Sequence, residues 1–224
     1  MSVSGPSAAW PNATCPLCLS HALAALPPVR GRAYAECVRC GLSFMRPADW
    51  PTPSAARAEY ALHQNLPGDP GYRGFLDRLA APLCERLAPA ARGLDYGCGP
   101  GPALVAMLRE RGFDCRGYDP EFARDVALLQ QRYDFVTCTE VAEHFTYPHA
   151  EFLRLRALLA PGGWLALMTQ WRRDGHPFEQ WRYVHDPTHV SFYREHSLRW
   201  IAEWLGLAFE SPVANVVLMR APPD

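Results

Sequence analysis

The chain has 224 residues, 49% of them apolar, and 22 Lys and Arg against 23 Asp and Glu for a formal net charge of −1. That length can bury a substantial core in one main domain with a small appendage, and the charge balance gives no electrostatic case for nucleic acid or an anionic membrane as partner. Residues Met1 to Pro11 carry no apolar run, so neither a signal peptide nor a membrane anchor is expected, and the expected location is cytoplasmic.

The first motif is Cys15-Pro16-Leu17-Cys18, followed after eighteen residues by Cys37-Val38-Arg39-Cys40-Gly41. Two Cys-x-x-Cys knuckles at this separation can set four thiolates tetrahedrally around Zn²⁺. Gly31 to Glu36 suits a strand leading into the second knuckle. Disulfides conflict with a cytosolic setting, and a redox pair conflicts with the doubling of the motif. With no open coordination position the ion would be structural, and its binding would supply the folding energy of a ribbon over residues 1–46. Cys84, Cys98, Cys115 and Cys138 are scattered singly and read as small buried hydrophobes.

Residues 47–89 read as a linker with helices. Pro47 to Pro53 is linker by composition, Ala55 to Gln64 suits a short helix, Leu66 to Gly71 a double turn, and Tyr72 to Leu87 an amphipathic helix. Tyr60 and His63 would share one face of the short helix.

Leu94-Asp95-Tyr96-Gly97-Cys98-Gly99-Pro100-Gly101-Pro102 is a strand end running into a Gly-x-Gly-x-Gly turn. Glycines there can take positive φ and let backbone approach a ligand above a helix N-terminus. Ala103 to Arg111 has helical apolar spacing, Gly112 sits where that helix stops, and Asp114 to Tyr118 suits a second strand ending at Asp119. Asp119 follows Gly101 by eighteen residues. An acid at that place can accept from both hydroxyls of a ribose. Asp95 would repel a pyrophosphate but suits a ligand with an ammonium and a sulfonium, which favours S-adenosylmethionine over a dinucleotide.

These motifs resemble those of class I S-adenosylmethionine-dependent methyltransferases, and the likeness runs from about Leu94 to the C-terminus. Asp95-x-Gly97-x-Gly99-x-Gly101 is similar to that family's first motif and Gly117-Tyr118-Asp119-Pro120 to its second. Tyr133-Asp134-Phe135-Val136 with Glu140 and Glu143-His144 resembles its fourth strand and following loop, and Leu159-Ala160-Pro161-Gly162-Gly163 the turn before its fifth strand. The resemblance implies a Rossmann-like, doubly wound α/β domain over residues 90–224, with a mostly parallel sheet of seven-strand type. It implies donor contacts from Asp95, Gly97, Cys98, Gly99, Gly101, Asp119, Pro120 and Glu140, and a lid from the helices before the first motif. Only fourteen residues separate Asp119 from Asp134, so the third strand is expected to be short or absent. The family's adenine-contacting acid has no clear counterpart, Asp125 being a poor substitute.

Pro148 to Leu159 suits a helix with proline in its first turn, and Trp164 to Thr169 a strand buried on both faces. Gln170 to Arg194 is too long for a plain connection and interleaves Trp171, Phe178, Trp181, Tyr183, Phe192 and Tyr193 with His176, His185 and His189. Its Trp181 to Tyr193 run resembles one found after the fifth strand in a branch of these methyltransferases. Methyl transfer to an oxygen or carbon acid needs a base beside the acceptor. His185 and His189 lead as candidates, His144 follows, Tyr193 is an orienting group, and the aromatics wall an acceptor pocket; a histidine that only ties down its loop is the competing reading. A second metal site through these histidines lacks a third ligand at useful spacing. Glu195 to Leu205 suits a helix, and Leu207 to Glu210 with Val213 to Met219 a final antiparallel pair.

The sequence therefore points to a methyltransferase acting on an oxygen or carbon of a small-molecule acceptor, with S-adenosylmethionine and a structural zinc in Cys15, Cys18, Cys37 and Cys40. Two alternatives stay open. One is an RNA base methyltransferase that uses Arg30, Arg32, Arg39 and Arg46 of the ribbon against phosphates, and the other a catalytically silent interaction protein.

Overall fold

The computed structural model describes residues 13–62, 66–173 and 175–223. Met1 to Pro11 and His63 lie outside the described residues. Among the described residues no helix is long and apolar enough to cross a membrane.

The N-terminal unit is a ribbon. Strands β1 (Leu23–Val29) and β2 (Arg32–Cys37) pair antiparallel through a two-residue turn. Arg30 and Gly31 both have positive φ, 50° and 78°, a turn whose twist matches that of a hairpin. β3 (Ser43–Met45) adds to β2, and the cysteine knuckles occupy the turns before β1 and between β2 and β3.

Helix α1 (Pro53–Tyr60) follows, capped by the Thr52 hydroxyl, which accepts from the Ala55 amide at 3.3 Å. Helix α2 (Pro70–Cys84) starts at an Asp69 cap and buries Leu76, Leu79, Ala80 and Leu83. The main domain then runs β4 (Arg92–Tyr96), α3 (Ala103–Glu110), β5 (Asp114–Tyr118), β6 (Tyr133–Thr139), α4 (Pro148–Ala157), β7 (Leu159–Met168), a long insertion containing β8 (Ser191–Phe192), α5 (Glu195–Leu205), β9 (Ala208–Val213) and β10 (Val216–Arg220).

Six strands form the main sheet in the order β5-β4-β6-β7-β10-β9, parallel through β7 and antiparallel beyond it. The stretch between Asp119 and Asp134 carries a 3₁₀ turn at Val126–Gln130, with Asp125 as its cap, in place of a strand. The glycine turn expected before the fifth strand is instead a bulge inside β7, where the pairing with β6 jumps from Tyr133↔Leu159 to Phe135↔Trp164. Alternation along β7 and β10 divides the core into two layers. Trp164, Ala166, Met168, Val216 and Leu218 face the layer built with α2 and α3. Leu165, Leu167, Val217 and Met219 face the layer that holds residues of α4 and α5.

The chain runs from β4 to β5 on one side, then crosses to β6 on the other, so the carboxyl end of β4 is where the winding reverses. Open α/β sheets bind ligands at such a point.

The ribbon is joined to the domain at several places, among them a shared sheet, a helix start and the ion pairs of Glu36 with Arg172 and Arg194. β8, from the long insertion, pairs antiparallel with β3 and gives a second sheet of order β1-β2-β3-β8. The first knuckle sits on the start of α4, whose His149 donates from its backbone to the Pro16 carbonyl at 3.1 Å and from Nδ1 to the Leu17 carbonyl at 2.7 Å. Accordingly Cys15, Leu17 and Leu42 belong to the same apolar cluster as Leu94, Phe152 and Leu165. Tyr34 and Met45, with Phe178, Tyr183, Val190 and Phe192 of the insertion, form a separate cluster.

Candidate active site

The turn after β4 is tied to the end of β5. The Gly97 and Cys98 amides both donate to the Tyr118 carbonyl, at 2.7 and 3.1 Å, and the Gly99 amide donates to Asp119 Oδ2 at 3.0 Å. The other oxygen of Asp119 accepts from the Glu121 and Phe122 amides at 2.8 and 3.1 Å. Gly97 has φ +84° and a Cβ there would lie 2.4 Å from Val141 Cγ2, whereas Gly99, at φ +63°, faces open space. Only glycine serves at Gly97, for conformation and for room. Above this turn lies a cleft of about 380 Å³ lined by Asp95, Gly97, Cys98, Gly99, Gly101, Asp119, Pro120 and Glu140, all eight of the expected donor contacts.

Asp95 is buried and accepts from the Thr137 hydroxyl at 2.7 Å. Burial pushes its carboxyl up to about 6 against the lowering effect of that bond, and the charge of Asp119 adds to the rise. Burial likewise raises the Cys98 thiol to about 12. Tyr72 of α2 and Tyr60 of α1 line the same cleft, and burial raises each phenol to about 12. Sequence reasoning missed Tyr72 as a lining residue; only its place on the buried face of an amphipathic helix hinted at it.

The far end of the cleft is formed by the loop after β6. Glu140 sits at φ +51°, a left-handed conformation uncommon for a side chain larger than asparagine, and its amide donates to the Met168 carbonyl at 2.7 Å. Glu143 is fully buried and accepts from the Tyr183 hydroxyl, which is also 3.4 Å from Glu140 Oε2. Burial, then the charge of Glu143, pushes Glu140 up to about 8. His144 lines the cleft, packs edge-on against Tyr60 at 5.1 Å and lies 4.9 Å from the ring of His189. Its Nδ1 meets the Thr188 carbonyl at 3.0 Å, while Nδ1 of His189 meets the Tyr183 carbonyl at 2.8 Å. Burial holds His144 below the usual imidazole range.

Of the four expected catalytic side chains His144 alone lines the cleft, and none of the insertion's aromatics walls it; His189 is buried against the His144 ring, and the other two stand elsewhere. Tyr193 is fully buried and donates to the Ala142 carbonyl at 3.0 Å, so it props the loop from behind instead of meeting an acceptor. His185 does not line the cleft; its carbonyl accepts from Arg30 at 3.3 Å and its Nδ1 is buried without a hydrogen-bond partner. Asp125 is outside the cleft as well, accepting from the Ala127 amide at 3.1 Å. The ribbon arginines are engaged within the molecule. Arg30 and Arg32 reach the His185 and Asp186 carbonyls, Arg39 lies 5.9 Å over Trp200, and Arg46 pairs with Asp49 at 2.7 Å.

The four knuckle cysteines converge. Cys15 and Cys40 sulfurs are 3.5 Å apart, those of Cys18 and Cys37 3.4 Å, and all four lie within 4.8 Å of one another as free thiols. All are at most 8% exposed. Such a closed, buried thiol set fits a tetrahedral soft-ligand ion. Among the described residues, Cys84, Cys98, Cys115 and Cys138 take no part in it.

No curated protein matches the chain. Among solved structures, magnesium protoporphyrin IX methyltransferase from Synechocystis PCC 6803 with bound SAM is similar over 67% of this chain and 80% of that one, at 17% identity and a TM-score of 0.50. The same enzyme with bound SAH is similar over 69% and 84%, at 18% identity and a TM-score of 0.50. An O-methyltransferase family protein from Burkholderia thailandensis is similar over 75% of this chain at 14% identity and a TM-score of 0.49, and the chain spans 63% of that protein. These likenesses are in fold. Residues 71–211, well over half of the chain, match the family described as methyltransferase domain, and with the loop, acid and sheet order just described the chain belongs to that family of S-adenosylmethionine-dependent methyltransferases.

Proposed function

We propose that the protein moves a methyl group from S-adenosylmethionine to an oxygen or carbon of a small-molecule acceptor, and that its four-cysteine ribbon holds a structural zinc ion. One observation carries this reading: a single cleft begins at Gly97, Gly99 and Asp119 and ends at His144. In it Asp119 takes the ribose hydroxyls with its remaining lone pairs, and Asp95 answers the donor's positive charge. Gly97, Cys98, Gly99 and Gly101 let backbone approach, and Pro120 and Glu140 complete the contact. The bound donor supplies an electrophilic methyl group. The chain's own part is to align the acceptor atom for in-line displacement and to favour its deprotonated form.

The acceptor would enter beside His144, between Tyr60 and the loop of Glu140. Both histidine rings place Nδ1 on a carbonyl, which requires the proton on that nitrogen and, in the neutral ring, leaves Nε2 a lone pair. A small acceptor is favoured over RNA because Arg30, Arg32, Arg39 and Arg46 are held by contacts within the chain. Zinc in the cysteine cluster would lock the ribbon that carries β3, and so the insertion paired with it.

Isothermal titration with S-adenosylhomocysteine tests the donor half. The protein should bind it and Asp119→Ala should not; equal binding by both would overturn the reading. Labelled donor offered with phenolic and carbon-acid acceptors, or with total RNA, tests the acceptor half, and label entering RNA alone would count against it.

A further inference from the structure

Against the acceptor end of the cleft, which His144 lines and Glu143 and His189 do not, stand the donor atoms of a metal site. Glu143 and His144 come from the loop after β6 and His189 from the insertion, and one ligand atom from each of the three residues lies within 4.8 Å of the others. We propose that Glu143, His144 and His189 bind one divalent transition-metal ion there, separate from the four-cysteine cluster.

Four features support it. Each imidazole is oriented by an outer partner, the Thr188 carbonyl for His144 and the Tyr183 carbonyl for His189, and this arrangement fixes Nε2 as the free lone pair in metal-bound histidines. Glu143 is fully buried, its Oε1 accepts from Tyr183, and its Oε2 has no hydrogen-bond partner. A buried, orphaned carboxylate oxygen is costly, and an ion would satisfy it. Glu140 approaches the same Tyr183 hydroxyl at 3.4 Å, so two carboxylates crowd one site that a cation would neutralise. Asp186 Oδ2, 3.7 Å from His189 Nε2, is beyond hydrogen-bonding distance, and the aspartate's other oxygen is taken by Thr188.

Two imidazoles and one carboxylate suit Zn²⁺, Fe²⁺, Co²⁺ or Ni²⁺ and leave coordination positions open. Because His144 lines the cleft, those positions would serve an acceptor that offers a coordinating oxygen, such as a phenolate or enolate. This role rests on the methyltransferase reading above; the binding of the ion does not.

The test is a Co²⁺ titration, followed by absorption, of the full chain carrying a single equivalent of zinc, which the four thiolates hold in preference to the two-histidine site. The expected result is one further equivalent of cobalt, with visible bands but no thiolate-to-metal charge transfer in the near ultraviolet, which would mark the cysteines. Binding should weaken by at least about tenfold in His189→Ala and in His144→Gln. Circular dichroism and thermal unfolding report whether each variant is folded, and the half-buried His144 position keeps the test alive if His189→Ala fails to fold. No cobalt beyond the cysteine cluster, or unchanged affinity in a folded variant, would overturn the proposal. S-adenosylhomocysteine binding, scored on the same samples without cobalt, judges the cleft reading by itself.

Discussion

The Gly99 amide donates to Asp119 Oδ2 at 3.0 Å, across twenty residues of sequence. The glycine turn and the acid at the end of β5 are therefore one unit: the same carboxylate that is proposed to hold the ribose also sets the loop that approaches the donor.

Removing that carboxylate should do two things together. Asp119→Ala is expected to weaken S-adenosylhomocysteine binding by roughly 100-fold or more, since each hydrogen bond to a charged group contributes about 1.5–3 kcal/mol. It should also speed amide exchange at Gly99, Glu121 and Phe122. Titration calorimetry and hydrogen exchange on one preparation check both, and loss of binding with unchanged exchange would separate the two roles.

The two loop glycines should differ in what they tolerate. Gly97→Ala puts a methyl 2.4 Å from Val141 at φ +84° and is expected to cost about 1–3 kcal/mol of stability. Gly99→Ala meets no atom within 4 Å, so only its left-handed backbone resists, at about 1 kcal/mol. Urea unfolding of both variants checks the order.

The buried Asp95 sets a pH dependence whose sign is fixed. Its carboxyl titrates near 6 in the folded chain and near 4 when unfolded, so the folded form holds its proton longer. Its contribution to stability is full below about pH 4 and is lost as pH rises through about 6, by about 3 kcal/mol at most. Asp95→Asn should flatten that part of the stability profile in the ligand-free protein. Affinity for the cationic donor should run the other way, rising between pH 5 and 7 in the parent and staying level in the variant.

Stripping the cysteine cluster should be felt far from it. β3 pairs with β8, and Arg30 and Arg32 hold the His185 and Asp186 carbonyls. Chelation of the proposed zinc is therefore expected to raise hydrogen exchange at residues 183–192 as well as at 15–45. Exchange confined to the ribbon would show that the two are uncoupled.

The glycine turn, Asp119 and the cysteine knuckles were legible because each works through local spacing: backbone conformation in the first case, thiol pairs on tight turns in the second. The missing strand between Asp119 and Asp134 was legible from length alone. The far end of the cleft was not, because it is made by tertiary contact. His189 lies 45 residues beyond His144, and nothing along the chain joins them; the sequence offered no third ligand beside His185 and His189, and the proposed set replaces His185 with His144 and Glu143 of the loop after β6. Where the insertion's side chains go was equally hidden, for none of them lines the cleft. Tyr183 and Tyr193 look alike in sequence, yet the first hydroxyl goes to Glu143 and the second to the Ala142 carbonyl.

The shared sheet β1-β2-β3-β8 has a consequence for engineering. Chain segments from opposite ends of the polypeptide are stitched into a single platform behind the chemistry. Grafting the long insertion into another scaffold without its cysteine partner would strand an edge and misplace His189. The proposed two-histidine site should therefore be transplanted only together with the ribbon.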